Sequence, residues 1–186
     1  MLTDRFRDAL VYAFDLHREQ RRKVSGVPYV AHLLGVAGIA LENGATEDEA
    51  IAALLHDAIE DQGGAATGEA IRRRFGDAVA DVVGGCTDAF TTPKPPWRQR
   101  KEDYIARLEA APASVRLVSA ADKVHNARAI LADHRQCGAE VWQRFNGGRE
   151  GTLWYYRALA SVYRRRGPAV LADELDGLTC ELERLS

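Results

Sequence analysis

Cysteine is scarce in this chain, and the three that are present, Cys86, Cys137 and Cys180, lie far apart and never in a Cys-x-x-Cys pair. An odd, dispersed set excludes a disulfide framework and offers no thiolate zinc site. These side chains read instead as small, partly buried apolar residues. No apolar run reaches the about 18 residues needed to cross a bilayer. The opening Met1-Leu2-Thr3-Asp4-Arg5-Phe6 lacks the charged, then apolar, then small-residue order of a secretory leader. A soluble, cytoplasmic protein without a membrane partner is expected. An excess of one charge sign is also missing: 25 Lys and Arg stand against 27 Asp and Glu, for a formal net charge of −2. Without a global basic field a nucleic-acid backbone is a poor partner, and a small-molecule ligand is the better expectation. Sustained period-two alternation, internal repeats and low-complexity tracts are absent as well. Together these absences leave an all-α helical bundle.

What is there suffices for one core. The 186 residues include 46% hydrophobic side chains, so a single domain over 1–186 is expected. Thr3 to Gln20 carries Phe6, Leu10, Phe14 and Leu16/His17 at the spacing of one buried helix face. After the basic turn Arg21-Arg22-Lys23-Val24-Ser25-Gly26, Pro28 opens a second helix buried through Val30, Leu33, Leu34, Ala37 and Leu41, which ends near Asn43-Gly44. Thr46-Glu47-Asp48-Glu49 has the form of a capping box, and Ile51 to Ile59 follows as one strongly apolar helix. Gly63-Gly64 breaks it, with short helices over Gly68 to Phe75 and Asp77 to Cys86. Thr91-Thr92-Pro93-Lys94-Pro95-Pro96 reads as a loop, because its prolines remove donors and fix the backbone. Trp97 to Glu109 is a charged, solvent-facing helix, and Ala113 to Ala132 is an apolar core helix with Asp122 in its middle. Val141-Trp142, Leu153 to Tyr163 and Pro168 to Leu185 read as further helices that pack on this core.

Leu54-Leu55-His56-Asp57-Ala58-Ile59-Glu60-Asp61 places four ionisable groups at the end of a greasy helix. Such groups are costly to bury unpaired. On a continuous helix His56 would share a face with Glu60, and Asp57 with Asp61. A metal accounts for the crowding. His32 and Asp122 are the comparable islands, each an ionisable residue on an apolar face, and are the natural partners of His56 and Asp57. The mixed nitrogen and oxygen set suits manganese, iron or zinc better than calcium. The bland alternatives are a satisfied core histidine for His32 and an ion pair of Asp122 with Arg128 or Lys123. His125 is expected to orient a ligand from behind, whereas His17 and His134 are assigned to structure or solvent.

The order His32, His56-Asp57, Asp122 resembles the signature of HD-domain phosphohydrolases. The flanking segments Gln20 to His32, Ala52 to Asp61 and Ala121 to Arg128 are similar to the hydrolase domain of RelA/SpoT homologues, over roughly residues 12–131. The chain is too short to add the separate synthetase domain of long members, so a small alarmone hydrolase of the HD-domain fold is expected. The resemblance implies a manganese-dependent enzyme that removes the 3′-pyrophosphate of ppGpp, pppGpp or ppApp. It implies that Glu60 and Asp61 orient water and move protons, and that Arg22 and Lys23 meet base and phosphates. Ser25 and Asn126 would contact the nucleotide, and Tyr155, with Tyr156, would close the pocket over the 5′ side. Val27, Leu33 and Ala129 depart from the pattern of many members; they spare the metal ligands but leave the purine open. Removal of the 2′-phosphate of NADPH, a nucleotide phosphatase and a non-catalytic alarmone-binding module are the rivals. Self-association into a homo-oligomer is left open.

Overall fold

The computed structural model describes residues 1–88 and 93–185. Within them the chain forms α1 (Asp4–His17), α2 (Val30–Glu42), α3 (Glu47–Leu55), α4 (Ala58–Asp61) and α5 (Ala65–Phe75). There follow α6 (Asp77–Cys86), α7 (Trp97–Ala110), α8 (Ala113–Cys137), α9 (Gly148–Arg166) and α10 (Ala169–Arg184), with a 3-10 segment over Gly138–Arg144. Among the described residues the only extended pairing is a single antiparallel bridge between Arg21 and Pro28. No described helix is long and apolar enough to cross a membrane.

The axis of the bundle is α8. Its buried residues include Val115, Val118, Ala121, Val124, Ala127, Ile130 and Leu131, which leave it no single solvent face. Such a helix must be covered on several sides, and α2, α3, α6 and the α9–α10 hairpin cover it. In its middle the buried Ser119 hydroxyl lies 2.6 Å from the Tyr104 hydroxyl and 2.7 Å from that of Tyr163, joining α7, α8 and α9. The expected capping box is present: Thr46 N–H donates to Glu49 Oε2 at 2.7 Å, and Glu49 N–H donates to Thr46 Oγ1 at 3.3 Å.

Several boundaries differ from expectation. Asp133-His134-Arg135-Gln136 offers no apolar face, yet α8 continues to Gly138, where a φ of +61° ends it. The segment around Val141-Trp142 is 3-10 and not α, a tight link into α9. The most consequential difference is that the expected helix over Ile51 to Ile59 is two helices, separated at His56-Asp57. Of the expected loop, residues 91 and 92 lie outside the described residues, and Pro93 to Pro96 adopt no regular structure.

Candidate metal centre and nucleotide cleft

Adjacent residues on a continuous α-helix point about 100° apart, so His56 and Asp57 could not aim at one point from it. The break solves this. Asp57 has φ −96° and ψ −3°, and α4 restarts from its carbonyl with Asp61 N–H donating at 2.9 Å. His56 Nε2 then stands 3.0 Å from Asp57 Oδ2. The expected pairing of His56 with Glu60 on one continuous face is thereby replaced, because the two residues belong to different helical segments.

His32, in the first turn of α2, brings its Nε2 to 3.3 Å from His56 Nε2 and 3.6 Å from Asp57 Oδ2. Asp122, from α8, brings Oδ1 to 3.3 Å from His32 Nε2 and 3.5 Å from His56 Nε2. Donors held at 2.0–2.2 Å by one cation are themselves about 3.0–3.6 Å apart. The donors of His32, His56 and Asp57 therefore fit a divalent metal in both spacing and chemistry, and Asp122 Oδ1 stands beside the two imidazoles. Charge points the same way. Burial opposes ionisation of the Asp122 carboxyl, but Lys123 and the two imidazoles outweigh it and hold the carboxyl well below its usual range. Burial likewise opposes charge on Asp57, and His56 and His32 overcome it.

The remaining ring nitrogens are engaged, which fixes the direction of each imidazole. His56 Nδ1 donates to the Ala53 carbonyl at 2.9 Å, which turns Nε2 toward the two carboxylates. His32 Nδ1 lies 2.9 Å from His125 Nδ1. Burial, then the neighbouring His32 and Arg22, push the His125 pKa down to about 4, so this ring is neutral and able to accept. The expected role of His125 behind a ligand therefore has a geometry. The carboxylates are braced too: Tyr29 Oη donates to Asp57 Oδ2 at 2.5 Å, Asn126 Nδ2 donates to Asp122 Oδ1 at 2.5 Å, and Lys123 Nζ contacts Asp122 Oδ2. Asp122 thus does pair with Lys123, through the oxygen turned away from the imidazoles, while Arg128 is taken by Glu174.

Asp57 and Asp122 line a cavity of about 350 Å³ whose walls also include Arg22, Lys23, Glu60, Asp61, Lys101, Lys123, Asn126 and Tyr155. A second cavity of about 410 Å³ shares that wall and extends it to Lys94, Arg100, Arg144 and Tyr156. Arg22 Nη1 donates to Asn126 Oδ1 at 2.9 Å. The Tyr155 hydroxyl is buried with no partner among the described residues. Ser25 is not brought in: Gly26 N–H donates to Arg22 O at 3.0 Å, and the turn so closed leaves Ser25 exposed, outside both linings.

Glu60 accepts from Lys94 Nζ at 2.7 Å and from the Asp88 backbone N–H at 3.4 Å. Burial first, and Asp88 next, raise its pKa. Asp88 in turn accepts from Arg100 at 2.8 Å and Lys101 at 2.5 Å. Sequence reasoning named Lys123 only as an ion-pair partner of Asp122 and missed Tyr29, Lys94, Asp88, Arg100 and Lys101. Tyr29 stands inside a ligand-bearing segment and was legible by adjacency. Asp88 and the α7 cations carry no local signal, since a charged helix looks solvated until its partner is known.

The sequence profile of the HD domain matches residues 9–153. The guanosine-3′,5′-bis(diphosphate) 3′-pyrophosphohydrolase MESH1 of Xenopus tropicalis is 37% identical over 138 residues, 73% of this chain and 72% of that protein. A GTP pyrophosphokinase of Myxococcus xanthus is 37% identical over 182 residues, 95% of this chain but 22% of that longer protein. A solved structure described as a metazoan ortholog of SpoT that hydrolyzes ppGpp superposes with a TM-score of 0.76 at 24% identity, covering 100% of this chain and 99% of that one. The metal-binding geometry sits inside the matched span, and with it this chain belongs to the HD-domain family, in the branch that contains the MESH1 proteins.

Proposed function

We propose that this protein hydrolyses the 3′-pyrophosphate of a purine nucleotide alarmone, ppGpp, pppGpp or ppApp, releasing pyrophosphate and the nucleoside 5′-di- or triphosphate. One observation carries the reading: the donor atoms of His32, His56 and Asp57 converge, with Asp122 Oδ1 beside the two imidazoles, and both carboxylates line a cavity walled by Arg22, Lys23, Lys101 and Lys123. The relatives' names support it.

In this reading His32, His56, Asp57 and Asp122 hold a divalent metal; the mixed imidazole and carboxylate set suits manganese, iron or zinc, and Mn²⁺ is the one that the resemblance to RelA/SpoT homologues implies. A bound divalent cation lowers the pKa of water toward neutrality and stabilises charge on a phosphoryl oxygen. Glu60, whose pKa burial raises, takes a proton from the attacking water at a carboxylate oxygen. The water oxygen bonds to the phosphorus next to the ribose, the bond from phosphorus to the 3′ oxygen breaks, and that oxygen leaves with a proton supplied from the Glu60 and Asp61 pair. Arg22 and Lys23 receive the base and phosphates, the guanidinium by stacking or a two-pronged hydrogen bond. Asn126 bridges Arg22 to Asp122, so nucleotide and ligand positions are set together. Tyr155 offers the cleft a buried, unpartnered hydroxyl.

The test is a manganese-supplemented panel of ppGpp, ppApp, pGpp and NADPH, with products separated and identified. Pyrophosphate with a 5′-di- or triphosphate is expected from ppGpp or ppApp. Orthophosphate from NADPH alone would move the activity to a 2′-phosphatase. No product from any member, with equal alarmone binding by a His56→Ala, Asp57→Ala variant, would leave only a binding module.

A further inference from the structure

Asp61 ends the four-residue helix α4 and is exposed at the cavity wall. A carboxylate placed there swings freely unless something holds it. Among the described residues its one side-chain hydrogen bond is from Gln20, whose Nε2 donates to Asp61 Oδ2 at 2.7 Å. The other half of the Gln20 amide looks inward. Its Oε1 accepts from Gln62 Nε2 at 2.7 Å and lies 2.6 Å from His17 Nδ1. A carbonyl oxygen only accepts, so His17 carries its proton on Nδ1. That leaves His17 Nε2 as a bare lone pair, and this atom is buried without a partner among the described residues.

Packing alone does not call for such a residue. An apolar ring would fill the space without burying an unsatisfied nitrogen, which is unfavourable. The same ring stacks on Tyr29, with centroids 5.4 Å apart and an interplanar angle of 21°, and Tyr29 donates to Asp57. One buried imidazole therefore touches the supports of two carboxylates that face the cleft.

We propose that His17 is a positioning residue. Its Nδ1–H locks the Gln20 amide in the one orientation that presents N–H groups, and not a carbonyl, to Asp61. If the amide flipped, its oxygen would face the Asp61 carboxylate and repel it. The proposal rests on the reading of Asp61 as part of the reaction.

The test uses the full chain, loaded with Mn²⁺, with 3′-pyrophosphate release as the assay. His17→Phe keeps the stack on Tyr29 and drops the donor. His17→Asn drops the stack and keeps the donor, because the Asn amide nitrogen overlays imidazole Nδ1. Gln20→Leu removes the strut. His17→Phe and Gln20→Leu are each expected to lower kcat about tenfold, with KM within about twofold and metal content unchanged. The double variant is expected to be no worse than either single one, since both cut one strut. His17→Asn is expected to restore most of kcat. Independently of activity, ¹⁵N-labelled protein is expected to show His17 as the Nδ1–H tautomer. An Nε2–H tautomer, losses that multiply in the double variant, or full kcat in both His17→Phe and Gln20→Leu would overturn the proposal. If either single variant unfolds, the tautomer and the other variant still decide. An inert wild type would instead sink the assigned reaction. Full activity in Asp61→Asn would remove Asp61 from it and this proposal too.

Discussion

Gly35 of α2 and His125 of α8 share one space: a Cβ added at residue 35 would stand 2.2 Å from Cδ2 and Nε2 of the His125 ring. The absent side chain lets that ring approach the His32 backbone segment closely enough to bring its Nδ1 within 2.9 Å of His32 Nδ1. A Gly35→Ala change must push the imidazole aside, because a ring packed between two helices has no flexible end to yield. Outer groups of this kind tune metal affinity by about tenfold to a hundredfold when lost. Gly35→Ala is expected to weaken Mn²⁺ binding by that order in equilibrium dialysis, with helical content unchanged by circular dichroism. Unaltered affinity would show that His125 does not orient His32.

Glu60 supplies a pH test whose sign is fixed by its neighbours. Burial and Asp88 raise its pKa, and the hydrogen bond and charge of Lys94 lower it. As a proton acceptor Glu60 works only when ionised, so kcat/KM climbs as pH rises through its pKa. Lys94→Met removes a lowering influence and is expected to move this acid limb to higher pH. Asp88→Asn removes a raising one, frees Arg100 and Lys101 from their anion, and is expected to move it to lower pH. A pH profile of kcat/KM for the three proteins decides. Shifts of one sign in both variants would assign the limb to another group.

The parts of the site that could be read from sequence are those whose signal is local. His32 and Asp122 stood out because each is ionisable on an otherwise apolar helical face, and Thr46 with Glu49, three positions on, spelled out a cap. The break at His56-Asp57 was hidden, since the apolar pattern runs on through Ala58 and Ile59, both of which remain buried. Its cause is tertiary: two donors are turned to meet His32 and Asp122. Ser25 looked like part of a nucleotide loop because only its chain neighbours are visible in sequence, and the turn that carries Arg22 inward leaves it outside. The charges of α7 read as a solvated face, whereas Lys101 and Arg100 are drawn to Asp88, 13 and 12 positions away. His17 read as a residue of structure or solvent because its partner atoms, on Gln20 and Tyr29, are defined by the fold.

Ser119 separates stability from chemistry. Its hydroxyl is 1% exposed and links the Tyr104 and Tyr163 phenols by hydrogen bonds. Ser119→Ala leaves two buried hydroxyls short of a partner, at a cost of about 1–3 kcal/mol. The change is expected to lower the free energy of unfolding in urea by that amount while KM and Mn²⁺ affinity stay at wild-type values. Stability equal to wild type would mean that the two phenols pair with each other once the serine oxygen is gone.

Arg22 and Asn126 form the link between nucleotide and ligand positions, and mutating them separates the two functions. Arg22 gives one guanidinium N–H to Asn126 and lines the cavity with the rest, so its loss removes a charged contact from substrate more than a support from Asp122. Arg22→Ala is expected to raise KM about tenfold to a hundredfold, the range of one or two lost charge-assisted hydrogen bonds, with metal affinity close to wild type. Arg22→Lys is expected to recover little, because an ammonium cannot stack or fork as a guanidinium does. Asn126→Ala frees Asp122 Oδ1 as well as Arg22, so it is expected to weaken both KM and Mn²⁺ affinity. Because the residues touch, the double variant is expected to fall short of the product of the single effects. Steady-state kinetics with dialysis of the metal resolves the two axes. An Arg22→Ala protein with unchanged KM would place the nucleotide elsewhere in the cleft, against Lys101 and Arg144 of the adjoining cavity.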